Sequence, residues 1–291
     1  MNYISFPGIG LGPVLINHTA FHLFGREIRW YGIVICIGII LAFLYTQFRA
    51  RQEGISLDDM LDYVIITVPV SIVCARIYFV LTSLSEYDNF YDMIAIWNGG
   101  IAIYGAVIGG FFSIIAISRF KKIKALKVLD AAAPGVMIGQ IIGRFGNFFN
   151  AEAYGNLDYA EFLGKVVHTP DFENNFFLRM VIQDFKTGRT ITVHPTFLYE
   201  AVWNAIGLLI INAFYKRKKF DGQIVIMYFT WYGFGRFFIE GLRSDSLYIG
   251  KIKISQLLAL LFFVTGVILL ACFTIKARKN CKKLDGYVEK F

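Results

Sequence analysis

The stretch Gly139–Gly155, GQIIGRFGNFFNAEAYG, decides how the chain reads. It closes a mostly apolar run of about twenty residues, the length that crosses a bilayer core. Yet it carries Gln140, Arg144, Asn147, Asn150 and Glu152. A guanidinium and a carboxylate at membrane depth are costly unless paired, so they point to a functional site. Gln140, Arg144 and Asn147 are spaced i, i+4 and i+7, which puts all three on one helical face. Gly135, Gly139 and Gly143 form a neighbouring stripe of small residues that admits a second helix or a lipid. An interhelical hydrogen-bond clasp accounts for Gln140 equally well. It accounts less well for Arg144, because five polar groups within thirteen residues exceed what gluing a bundle requires.

Working outward, the chain has 291 residues, of which 56% are hydrophobic and 17% aromatic, and a mean hydropathy of +0.56. That composition excludes a soluble globular protein and predicts an all-α polytopic membrane protein, a single integral membrane domain over residues 1–291. Seven transmembrane helices are expected, over residues 30–48, 60–81, 94–118, 125–145, 196–215, 223–240 and 254–275. Pro69 and Pro134 fall inside the second and fourth, which a bundle tolerates. Residues 1–29 are apolar but broken by Pro7, Gly8, Gly10, Gly12 and Pro13, and read as an interfacial segment. Residues 146–195 are mixed in character and read as a small folded cap. No cleavable leader is expected, since the first basic residue is Arg26 and the first apolar run leads into further spans. Cys36, Cys74, Cys272 and Cys281 have neither disulfide nor metal-ligand spacing.

The net charge of +8 does not indicate nucleic acid, because the basic residues sit in short blocks between apolar runs. Arg119, Lys121, Lys122, Lys124 and Lys127 form one block, Lys216–Lys219 another, and Lys276, Arg278, Lys279, Lys282, Lys283 and Lys290 crowd the tail. The Ser83–Met93 loop instead holds Glu86, Asp88 and Asp92 with no Lys or Arg. The positive-inside rule then predicts an outside N-terminus, a cytoplasmic C-terminus and an extracytoplasmic cap, with Arg243, Lys251 and Lys253 running against the bias.

In that orientation the polar residues gather in the outer halves of the spans: Tyr31, Arg76, Tyr104, Arg144, Asn147, Glu200, Arg236 and Glu240. The cytoplasmic halves are nearly free of ionisable groups. A pocket open to the outer leaflet over a sealed floor is expected. Tyr232, Arg236, Glu240 and Arg243 share one helical face. Clustered arginines at this depth suit an anion, and their planar fork suits phosphate, so the pocket is expected to bind a phospholipid headgroup. Glu152, Glu200 and Glu240 can neutralise some of them, which leaves a purely structural ion-pair network open.

The segment Gly143–Gly155, GRFGNFFNAEAYG, resembles the signature of bacterial prolipoprotein diacylglyceryl transferases. The likeness extends to IRWYG at Ile28–Gly32, GGIAIYGAVIGG at Gly99–Gly110, HPTFLYEA at His194–Ala201 and RFFIEGLR at Arg236–Arg243. It implies an enzyme of the bacterial cytoplasmic membrane that moves the diacylglyceryl group of phosphatidylglycerol to the lipobox cysteine of a prolipoprotein signal peptide. Glycerol 1-phosphate is released. It implies that Arg144 contacts phosphatidylglycerol, that Arg236 is a second essential arginine, and that Tyr31, Asn147, Glu152, Gly155 and Glu240 shape the site, which Glu200 and Arg243 adjoin. No metal or other cofactor is expected. Some members carry His where this chain has Tyr104, and here a phenol hydroxyl is expected to donate a hydrogen bond to phosphate or to the leaving group. The rival readings are an anionic-lipid transporter or flippase, which predicts polar residues reaching the inner leaflet, and a bundle whose polar cluster only fixes packing.

Overall fold

The computed structural model describes residues 1–84, 87, 89–168 and 176–288. Glu86 and Asp88 of the expected acidic loop, residues 169–175 of the expected cap, and Lys290 lie outside them. The chain forms two compact units, one built from Met1–Tyr45 with the chain from Ala133 onward, the other from Thr46–Ala132.

Strands β1 (Asn2–Phe6), β2 (Leu11–Ile16), β3 (Thr19–Leu23) and β4 (Arg26–Arg29) lead into helix α1 (Trp30–Gln52). Helices α2 (Leu57–Thr82), the short α3 (Phe90–Ile94), α4 (Ile103–Lys121) and α5 (Ala125–Asn150) follow. Strands β5 (Tyr159–Phe162), β6 (Lys165–His168), β7 (Met180–Asp184) and β8 (Thr190–Val193) precede α6 (Thr196–Tyr215) and α7 (Gln223–Leu242). The hairpin β9 (Tyr248–Ile249) and β10 (Ile252–Lys253) then leads to α8 (Ile254–Val288). The chain is therefore mostly helical rather than all-α. Proline and glycine near the N-terminus prevent a helix there, and alternating residues such as Ile4, Ile182 and Val193 supply strands instead.

Among the described residues six helices, α1, α2, α4, α5, α6 and α8, are long and apolar enough to cross a membrane. No more than 39% of any of their apolar windows is buried within the chain. Aliphatic side chains such as Ile65 and Leu209 consequently cover the outer faces. Lipid tolerates such a surface and water does not. The protein is a multi-pass membrane protein. Helix α7 is not among these six, its apolar run being interrupted by Gln223, Thr230, Arg236 and Glu240.

In the smaller unit, Ser56 caps α2 by accepting from the Asp59 amide at 3.0 Å, with Asp58 and Asp59 favourably placed in the first turn. Helix α4 packs against α2 through Gly105 and Gly109, where any Cβ would collide with Cys74. Arg76 has an organising role here. Its Nε donates to the Met93 carbonyl at 2.9 Å, and Nη2 to Asp92 at 2.6 Å. Its Nη1 donates to both Gly99 and Gly100 at 2.6 Å. Positive φ at Gly99 and Gly100 turns those two carbonyls inward. The expectation that Arg76 serves as an anion-binding arginine gives way to this. Its nitrogens hold backbone oxygens, so the apolar segment before α4 forms only a single 3-10 turn at Ile96–Asn98 and the long helix starts at Ile103 rather than Ile94.

In the larger unit, β2, β1, β7 and β8 form one antiparallel sheet in that order. The N-terminal strands thus complete a sheet whose other half lies between α5 and α6. Ile4, Met180, Ile182 and Val193 bury against Phe197 in the first turn of α6, with Phe148 from the end of α5 packed on them. This small core ties the C-terminal end of α5, which carries the signature, to the first turn of α6, which carries Glu200.

Candidate active site

Four elements of the larger unit build the site. Helix α5 carries Arg144 and Asn147, the turn after it carries Glu152, α6 carries Glu200, and α7 carries Arg236 and Glu240. Glu200 lies between the arginines: Arg144 Nη2 reaches its Oε1 at 2.5 Å, and Arg236 Nη1 reaches its Oε2 at 2.9 Å. Arg236 Nη2 also lies 2.5 Å from Glu240 Oε2, one turn along α7, as an ion pair whose angle falls short of a hydrogen bond. Two guanidinium groups and two carboxylates so form a chain that compensates the charge of each member. Charges at this depth persist only when paired in this way.

The chain of charges is not closed. The Arg144 side chain keeps 20% of its surface exposed against 3% for Glu200. Its other contact, Nη1 to Asn147 Oδ1, is long at 3.4 Å. Arg144 therefore has donors to spare for an anion approaching from its open side. Asn147 Nδ2 donates to Glu152 Oε1 at 2.9 Å, and Asn150 Nδ2 donates to the same oxygen at 3.2 Å. The backbone turns back at Ala151 and Ala153, both at positive φ, which lets Glu152 fold onto the end of α5. Left-handed alanines are strained, and strain of this kind concentrates at functional sites.

Gly155 is where three segments meet. Its N–H donates to the His194 carbonyl at 3.0 Å and its carbonyl accepts from the His194 N–H at 2.9 Å, while Asn156 N–H donates to Leu242 O at 2.9 Å. A Cβ at Gly155 would stand 2.9 Å from the Leu242 carbonyl and from Thr196 Cγ2. The requirement is for close backbone approach, joining the signature to the start of α6 and the end of α7. Thr196 Oγ1 donates to the Ala153 carbonyl across the same junction. His194 hydrogen-bonds Tyr199 through Nδ1 at 3.0 Å. Burial lowers its pKa to about 4, so the imidazole is neutral at physiological pH.

Of the remaining expected residues, Tyr31 lays its ring on Gly146, where a Cβ would come within 2.9 Å of the ring. Arg243 grips Asp245 with a two-pronged fork, Nε to Oδ1 at 2.9 Å and Nη2 to Oδ2 at 2.8 Å. Tyr104 belongs to the smaller unit, where its ring lies 6.1 Å from that of Tyr78. Lys253, expected in an outer loop, is buried at the end of α7 and donates to the carbonyls of Glu240 at 3.0 Å and Arg243 at 2.7 Å. It is a C-terminal cap. Sequence reasoning missed that role; the signal was a lysine shortly after the Glu240–Arg243 helix end.

The family profile of prolipoprotein diacylglyceryl transferase matches residues 18–272. The phosphatidylglycerol–prolipoprotein diacylglyceryl transferase of Lysinibacillus sphaericus is 44% identical over 273 residues, 93% of this chain and 97% of that one. The Clostridium novyi enzyme of that name is 40% identical over 269 residues, covering 92% of this chain and 100% of its own. The one from Enterococcus faecalis is 40% identical over 258 residues, covering 87% and 89%. With a guanidinium–carboxylate chain buried among apolar helices and a likeness that runs through every segment carrying it, this chain belongs to the prolipoprotein diacylglyceryl transferase family.

Proposed function

We propose that this chain is a transferase that moves the diacylglyceryl group of phosphatidylglycerol to the cysteine thiol of a prolipoprotein lipobox. Relatives of this name cover nearly the full chain. The observation that carries the reading is the Arg144–Glu200–Arg236–Glu240 chain, neutral in itself and open at Arg144. The precursor's sulfur attacks the glyceryl carbon, an S–C bond forms, and the C–O bond to phosphate breaks. The thiol proton ends on the released glycerol 1-phosphate or in solvent. Negative charge grows on the departing phosphate oxygens, and fixed guanidinium donors in an apolar surround stabilise it without reorganising. Glu200 holds both forks in place before substrate arrives. From the sequence Tyr104 is the expected hydroxyl donor, and within the larger unit Tyr31, Asn147, Glu152, Gly155 and Arg243 shape the pocket around the headgroup.

In this reading α7 is a seventh span, the N-terminus and the cap of residues 146–195 are extracytoplasmic, and the pocket faces the outer leaflet of the bacterial membrane. The short basic loops support that orientation. The test incubates purified protein with phosphatidylglycerol and a lipobox peptide and weighs the peptide. A gain of one diacylglyceryl group, held through a thioether that neutral hydroxylamine leaves intact, is expected. An unmodified peptide together with lipid moved between leaflets would replace the transferase with a flippase.

A further inference from the structure

Below the charged chain, α5 and α6 continue as an antiparallel pair whose register can be read from two contacts. Arg144 meets Glu200. Two turns further along each helix, Met137 meets Gly207, where a Cβ would stand 2.7 Å from Met137 Cε. Each step back along α5 is matched by a step forward along α6, so Gln140 lies opposite Asn204, one turn beneath the Arg144–Glu200 pair. Asn204 is fully buried, and neither its Oδ1 nor its Nδ2 has a hydrogen-bond partner among the described residues. Across the pair, the Gln140 Nε2 donates to Tyr228 Oη at 2.9 Å, but its Oε1 is also buried without a partner.

Two amides in the same layer, each with complementary donors and acceptors, would pair directly if they were within reach. No hydrogen bond joins them among the described residues, and the three unpartnered atoms, Gln140 Oε1 and both amide atoms of Asn204, call for a bridging group. Leaving buried amide atoms unpaired is costly, more so in lipid. The bridging group must both donate and accept, as a hydroxyl does and a phosphate or ammonium does not. A headgroup glycerol hydroxyl hangs a few bonds from its phosphorus, comparable to one helical turn, ~5.4 Å.

We propose that Gln140, Asn204 and Tyr228 form a hydroxyl-binding site one turn beneath Arg144 and Glu200, filled by a headgroup hydroxyl of the lipid substrate or by water. The glycerol form rests on the transferase reading; the water form does not. The site recognises the hydroxyl by hydrogen bonds, and a site built in that way rejects an analogue lacking the hydroxyl.

The experiment compares transfer to a lipobox peptide from phosphatidylglycerol and from phosphatidylpropanol, which lacks both headgroup hydroxyls. Wild type, Asn204→Leu and Gln140→Met are assayed, and the thermal unfolding of each is followed in detergent. If the lipid supplies the hydroxyl, wild type prefers phosphatidylglycerol by tenfold or more and both variants lose most of that preference. If water supplies it, the variants keep the wild-type ratio of the two lipids, lose rate on both, and unfold at lower temperature. An apolar side chain that replaces a merely unpaired amide stabilises or leaves the fold unchanged. Variants with wild-type ratio, rate and unfolding temperature therefore overturn the proposal. Should Asn204→Leu fail to fold, Gln140→Met carries the comparison from the other helix. A wild-type protein that transfers from neither lipid sinks the transferase reading instead, and the unfolding data still decide the buried site.

Discussion

At the scale of single residues, Glu200 is the hinge of the site. Its two oxygens are divided between Arg144 and Arg236, at 2.5 and 2.9 Å. A lysine can supply charge to one oxygen but cannot bridge Glu200 and a second acceptor with a planar fork. Arg144→Lys and Arg236→Lys are thus expected to insert and fold while transferase activity drops by about 10² or more, the usual effect of losing a transition-state donor. Normal rates in both variants would reduce the arginines to packing. Tyr104 carries a phenol hydroxyl that can donate. If its hydroxyl donates to the phosphate, Tyr104→Phe loses activity and Tyr104→His, which still donates, keeps a substantial share. A wild-type rate in Tyr104→Phe, measured in single turnover at matched expression, would leave an aromatic of the interfacial belt.

At the scale of elements, the termini of helices do most of the positioning. Helix α7 brings Arg236 and Glu240 to its last turns, and its orphan carbonyls are gathered by Lys253, whose side chain is 2% exposed. Burial lowers the Lys253 pKa, and the nearby Glu161 and Glu240 carboxylates oppose that shift. Lys253→Met keeps the stem and removes the ammonium. It is expected to destabilise the protein by about 2 kcal/mol or more, the scale of a lost charge-assisted hydrogen bond to a buried acceptor. The readout is a fall in detergent unfolding temperature with a parallel loss of activity, since the carbonyl of Glu240 itself is one of those capped. An unchanged unfolding temperature would mean that water caps the helix equally well.

At the scale of the whole molecule, the basic blocks at Arg119–Lys127 and Lys216–Lys219 set the expected orientation. In a background without the native cysteines, a membrane-impermeant thiol reagent applied to intact cells should label a cysteine at Asn89 and spare one at Lys122. The reverse pattern would turn the pocket to the cytoplasm and remove exported precursors as substrates. Arg243, Lys251 and Lys253 run against the charge bias, and the structure engages two of them locally, Arg243 with Asp245 and Lys253 with backbone carbonyls. Lys253 is a helix cap rather than a loop charge.

The sequence alone determined that the chain is a polytopic helical membrane protein, because twenty-residue apolar runs permit little else in lipid. It also determined the family and the arginines, since Arg144 and Arg236 stand out against apolar surroundings and sit in long motifs. The tertiary structure decided what those side chains touch. Hydropathy counts side chains and is blind to backbone oxygens, so it could not show that Arg76 spends its fork on Asp92, Met93, Gly99 and Gly100, or that α4 therefore begins at Ile103. Helical periodicity relates residues a few positions apart. The sheet that joins Ile4 to Ile182, the junction at Gly155, and the hydrogen bond from Gln140 to Tyr228 all join segments far apart in the chain. Those pairings exist only once the segments have come together, at Gly155 because a glycine lets two backbones approach closely.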